Sequence, residues 1–341
     1  MRVIRQAFAA LANPKLPSTM SGMSEEMPRG ATTQSLQHSG KSVPESKANP
    51  LVAETAAGAP DALVETVSRW REAAERGSAE AQNNLALCHL NGAGVPKDEA
   101  AAVRWFRKAA EQGDVRAQTN LGLCYESGRG VPKDPAKAVK RFKEAAGQDY
   151  APAQFYLGFC HARGDGVPKD YGAAGGWWRK AAEQGHAYAE YNLGICFRFG
   201  KGVPKDPAEA ALWLQKAAKQ GLAEAQENVG DCFQEGLGVP KNEAEAARWH
   251  LKAAKQGRAT AQAKLVDHYT AGTGIAQSRL EAYKWACLAS AQGLPLAAKI
   301  ADLEKKLSVA QIDEGKRLAA EFKPRPTPPP GAPLSAPDFG A

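Results

Sequence analysis

The chain has 341 residues, 43% hydrophobic and 24% charged, and 44 Lys and Arg against 37 Asp and Glu give a formal charge of +7. That composition supports a folded core, but no apolar run approaches the ~20 residues needed to span a bilayer. The basic side chains recur at even spacing instead of clustering, which argues against a nucleic-acid partner.

Residues 1–60 lack sustained periodicity and are rich in Ser, Thr, Pro and Gly, so the expectation for them is disorder. The first 24 residues hold no acid and set Arg2, Arg5 and Lys15 among Val3, Ile4, Phe8 and Leu11. An organelle transit peptide, a disordered N-terminus and a start site set too far upstream are all open readings of that segment. Residues 61–77 then predict one helix, with the pattern of the second helix of the repeats that follow.

From 78 to 293 the sequence is periodic. GVPKD stands at 94–98, 130–134, 166–170 and 202–206, returns as GVPKN at 238–242 and decays to GIAQS at 274–278. Gly77, Gly113, Gly185, Gly221, Gly257 and Gly293 each close a unit, and Asp149 stands in that column once. A fixed period of this size means stacked supersecondary units, here six copies of 36 residues.

Each copy reads as two helices. Helix A, typified by 115–127, spaces Ala117, Leu121 and Cys124 at helical intervals and stops at Gly128. The G-x-G-V-P segment cannot continue a helix, because Pro132 lacks a donor and restricts Val131. Helix B starts after a side chain able to cap it: Asp98, Asp134, Asp170, Asp206, Asn242 or Ser278. Its apolar stripe is expected on Ala102, Trp105 and Ala109. Residues 294–322 predict a closing helical hairpin, and 323–341 a disordered Pro-rich tail.

Cys88, Cys124, Cys160, Cys196 and Cys232 lie 36 residues apart. Packed helices stand about 10 Å apart, too far for successive column members to share a metal ion or a disulfide. The column reads as core, and unpaired thiols favour a reducing compartment. The recurrent G-x-G follows a helix and enters Val-Pro, so it is a turn and not a dinucleotide loop. No nucleophile elbow, HExxH or SxxK motif is present, and His89 and His161 fall in the aromatic column with Tyr125, Phe197 and Tyr269. No catalytic residue, metal ligand or cofactor is assigned.

The residues AQ-x-x-LG-x-x-Y-x-x-G-x-G-V-x-x-D in 117–134, with A-x-x-W-x-x-K-A-A-E-Q-G in 102–113, resemble the Sel1-like repeat family, over about residues 61–293. Arg141 at the helix-B Trp and Val266 at the helix-A Gly depart from the pattern. The resemblance implies an all-α, right-handed solenoid related to tetratricopeptide arrays and a role as adaptor or scaffold. Certain relatives linked to β-lactam hydrolysis, and others in organelle assembly, supply the alternatives.

In helix-pair solenoids the columns constant between repeats build the core and the variable ones meet partners. Helix A varies most at four columns whose offsets place them along one face. They give Leu123; Phe155, Phe159 and Arg163; Tyr191, Ile195, Arg198 and Phe199; then Glu227, Asp231 and Glu235. The expectation is a protein or peptide partner on the concave face, its apolar residues on the aromatics and a basic end on the acids. Neither nucleic acid nor a membrane span is expected, and the chain is expected as a monomer in the cytoplasm, or in mitochondria if the first segment is a transit peptide.

Overall fold

A computed structural model of the chain describes residues 60–325. Its elements are all α-helices, with no strand among the described residues. Helix α1 (Pro60–Glu75) precedes six pairs: α2 (Ala79–Asn91) with α3 (Glu99–Glu111), α4 (Val115–Ser127) with α5 (Pro135–Ala146), α6 (Ala151–Arg163) with α7 (Tyr171–Glu183), α8 (Ala187–Phe199) with α9 (Pro207–Lys219), α10 (Ala223–Glu235) with α11 (Glu243–Lys255), and α12 (Ala259–Ala271) with α13 (Arg279–Ala291). Helices α14 (Ala297–Glu304) and α15 (Val309–Ala320) follow. The candidate transit segment and the tail beyond residue 325 lie outside the described residues.

Local chemistry sets the boundaries. All six helix-B caps form: the side chains of Asp98, Asp134, Asp170, Asp206, Asn242 and Ser278 accept from backbone N–H groups of the first turn. Each satisfies a donor the helix leaves unpaired. Gly128 ends α4 at φ 74° and donates to the Cys124 carbonyl, a left-handed stop that a Cβ would strain. Gly130 repeats that conformation at φ 68°, and a Cβ there would also run into the Glu99 carbonyl at the start of α3. Both glycines of the turn are therefore dictated by backbone. Asp149 is the one non-glycine at positive φ among the described residues, at 59°. Its carboxylate accepts from nearby Gln154 at 2.8 Å and from Gln184, 35 residues on, at 3.2 Å, bonds that offset the left-handed cost.

Within a pair, one large side chain of helix B sits on a glycine of helix A. Phe142 meets Gly122, Trp178 meets Gly158, Leu214 meets Gly194 and His250 meets Gly230. Val266, where the sequence departs from Gly, is matched by Ala286 at the facing column, and both are buried in one core cluster. Bulk has moved from helix B to helix A, which keeps the contact filled as a close-packed core requires. In α3 the stripe runs through Phe106, fully buried, and Trp105 falls at its edge, whereas in α9 and α13 Trp213 and Trp285 are buried in that column as expected. Trp105 is half-buried with the Lys108 ammonium 4.3 Å over its ring.

A polar ladder joins successive copies. Gln112 donates to Gln82 at 2.8 Å, Gln148 to Gln118 at 3.1 Å and Gln184 to Gln154 at 2.9 Å. Gln256 to Gln226 and Gln292 to Gln262 repeat it at 2.8 and 2.9 Å. Gln82 and Gln118 donate onward to the Ala74 and Ala110 carbonyls, so these buried amides are satisfied.

The chain divides between Asn192 and Leu193, within α8, into two compact units. In the second, Tyr283, Trp285, Leu265 and Leu303 form a core flanked by Ile300, Ile312 and Phe322.

Candidate partner-binding surface

The variable helix-A columns separate into residues that bind the stack and residues that keep surface. In the first unit Leu123 is buried. Phe155, 1% exposed, stacks on His186 at 4.6 Å and meets Tyr156 edge-on at 5.2 Å. Tyr191 is also 1% exposed. Phe155 packs on the following copy and Tyr191 is buried, so neither presents its ring to a partner as the sequence suggested. Phe159 keeps part of its face, with one edge on Phe155 (5.3 Å) and another on Trp178 (5.8 Å). Arg163 is exposed one turn on, paired with Asp165 at 2.9 Å.

In the second unit Ile195 is buried and Phe199 half-buried, with the Arg198 guanidinium 5.6 Å over the Phe199 ring. Arg198 donates to the Asn228 side chain at 2.7 Å and lies 3.9 Å from both Asp231 and Glu235. Glu227 is 6% exposed and accepts from Arg258 (2.6 Å), Thr260 (2.8 Å) and Lys264 (3.0 Å). Asp231 accepts from Lys264 at 2.6 Å and lies 3.1 Å from His250. The expected acidic third is thus no open negative surface: Glu227 and Asp231 spend their charge on Lys264 of α12 and Arg258 of the turn before it, and only Glu235 stands largely in solvent. Burial pushes the Glu227 carboxyl up, but Lys264 and Arg258 outweigh it and hold it below the usual range. For Asp231 burial is likewise outweighed, by His250 and Lys264.

Periodicity missed this network because its partners come from the next copy. One signal was available: His250 stands where the other copies carry Phe, Trp, Leu or Ala, and His268 stands in the cysteine column. The column cysteines themselves are buried and unpaired. Burial pushes the thiols of Cys88, Cys124 and Cys196 up to about 12 and that of Cys232 to about 11.

Helix pairs stacked at a fixed period, with repeat-specific side chains on one helix face, define an α-solenoid of the interaction-scaffold class. The Sel1 repeat model matches residues 79–114, 115–150, 151–186, 187–222, 223–257 and 259–294, and the chain belongs to the Sel1 repeat family. Among solved structures it is similar to a Sel1 repeat protein from Oxalobacter formigenes, at 32% identity and TM-score 0.61, over 71% of this chain and 97% of that one. It also matches a protective antigen of uropathogenic Escherichia coli (24% identity, TM-score 0.34, 81% and 94% covered). A third match is the immunity protein Pa5087 of Pseudomonas aeruginosa (21%, 0.41, 62% and 81%). No curated protein matches the sequence. Proteins of the family are generally non-catalytic scaffolds that bind other proteins, and no described helix is long and apolar enough to cross a membrane.

Proposed function

We propose that this chain is a non-catalytic adaptor that holds a protein or peptide partner on the exposed side chains of its A helices. The observation that carries the reading is the contrast between columns. The Gln ladder and the glycine–knob contacts recur from copy to copy, whereas the surface-bearing positions change, from Phe159 and Arg163 in one unit to Phe199 and Glu235 in the other. Aromatic and Arg side chains at such positions are the usual anchors of binding energy. The buried, unpaired thiols support a reducing compartment such as the cytoplasm.

The test is affinity capture from the native source with the full chain as bait. Beside it run Phe159→Leu with Arg163→Ser in the first unit, and Phe199→Ser in the second. Leu at 159 is what two other copies carry in that column, as Leu87 and Leu123, so the fold is kept. A partner held by the parent chain and lost by either variant supports the reading. Partners retained by both variants, or none for the parent, overturn it.

A further inference from the structure

Two buried columns change together in the second unit. His250 takes the knob position held elsewhere by Phe106, Phe142, Trp178 and Leu214, and His268 takes the position of the five column cysteines. His250 is fully buried and His268 is 2% exposed. His250 Nδ1 lies 3.1 Å from His268 Nε2, His250 Nε2 lies 3.1 Å from Asp231 Oδ1, and His268 Nδ1 lies 2.8 Å from the Thr273 carbonyl.

The protons on this chain can be counted. Thr273 presents two groups to His268 Nδ1, its carbonyl at 2.8 Å and its hydroxyl at 3.4 Å; a carbonyl only accepts and is much the nearer, so Nδ1 carries a hydrogen for it. Burial pushes the His268 imidazole below its ordinary range, which keeps the ring neutral and its Nε2 an acceptor. His250 Nδ1 must then donate to it. On its other side His250 faces Asp231 Oδ1, which already accepts from the Lys264 ammonium at 2.6 Å and so is an ionised carboxylate. His250 Nε2 therefore donates as well. Both ring nitrogens of His250 carry hydrogen, and moving one proton along to His268 leaves the total unchanged.

We propose that Asp231, His250 and His268 form a buried hydrogen-bonded chain holding one proton beyond two neutral imidazoles, so that the stability of this unit is tuned to pH. The charges facing it agree. Glu224, Glu227, Asp231 and Glu235 on α10 are four anions, and Arg198, Arg258 and Lys264 are three cations that pair with them; the imidazolium is the fourth. Glu243 on α11 and Asp267 on α12 also face His268, and Asp267 is paired with Lys299. Loss of the proton leaves one buried bond of the chain unmade, either from His250 to His268 or from His250 to Asp231.

The sign follows from proton counts in the two states. The folded chain keeps one proton, whereas the two unfolded imidazoles bind two well below their ordinary value of about 6.5 and none well above it. The stabilisation is therefore greatest near that value and falls on both sides, on the acid side because folded His268 refuses a proton. The inference does not depend on the adaptor reading, and its test uses no partner.

The experiment compares the full chain with His250→Leu/His268→Cys, which restores residues that other copies carry at both columns. Urea unfolding of the two is followed from about pH 5.5 to about pH 8, below the ordinary thiol range. The ratio of their folding constants should peak near the middle and fall about tenfold by the alkaline end, the equivalent of about one unit of proton affinity. A ratio that stays flat or rises steadily overturns the proposal. Nitrogen NMR of the parent chain labelled at histidine decides it even if the variant fails to fold. Two protonated ring nitrogens on one of the pair and one on the other near neutral pH are expected; two neutral rings near pH ~6.5 overturn it.

Discussion

Gly158 lies under the indole of Trp178, whereas nothing stands within 4 Å of a Cβ built on Gly176. The same added methyl should therefore act with opposite sign at the two places. Gly158→Ala forces the Trp178 ring from its seat and should destabilise by about 1–3 kcal/mol, the range for overpacking a filled core. Gly176→Ala, in the exposed interior of α7, should stabilise by about 0.5–1 kcal/mol by removing backbone freedom from the unfolded chain. Urea midpoints of the two variants against the parent check both. Thiol chemistry gives a second test at this scale. The thiolate is the reactive form, and burial holds the five column cysteines far from ionising near neutrality. Alkylation of the folded chain should label Cys287 first, since it is only half-buried, and the column only on unfolding. Peptide mass spectrometry reads the order, and early labelling of Cys124 would contradict the burial argument.

At the scale of the element, the sequence and the structure agree where the determinant is local. The helix predicted over 115–127 is α4, and every side chain expected to cap a helix B does so, because a cap needs only its own first turn. The binding columns were less legible for a physical reason: their fate is decided by residues about one repeat away. Phe155 looks like an anchor until His186, 31 positions on, covers it. Glu227 looks like a free acid until Arg258, Thr260 and Lys264 close on it. Periodicity names a column but not the column it meets. The pairing of α10 with α12 also carries a pH prediction. The Glu227 and Asp231 carboxyls are both held below their ordinary values. A depressed carboxylate stabilises above its unfolded value and loses that contribution as pH falls through the folded one. Loss should begin below about pH 4, where unfolded carboxylates titrate. Glu227→Gln should flatten that acid limb and cost about 1–3 kcal/mol near neutrality, since it leaves Arg258 and Lys264 without their shared anion. Urea unfolding at successive acidic pH values, parent against variant, measures both effects.

For the molecule as a whole, a stack of repeats must finish both ends, since each copy buries one face on the next. The C-terminal finish is slight in itself. Only Leu303 is buried in α14 and only Gly315 in α15. Its contribution lies in what it covers: Phe322 meets Trp285 edge-on at 5.5 Å, and Ile300, Leu307 and Ile312 pack on the same cluster as Tyr283 and Val266. The Tyr283 hydroxyl also donates to Glu304 at 2.7 Å. Each large side chain kept from water contributes about 1.5–3 kcal/mol, so a chain ending at Gly293 should lose far more than two short helices. Because coupling in such arrays runs between neighbours, the loss should be graded along the chain. Hydrogen exchange of the truncated form should show protection falling across 259–291 while peptides from 151–183 exchange as in the parent. Full protection of 259–291 after truncation would show that the last pair completes its own core, and that α14 and α15 are appendages instead of a cap.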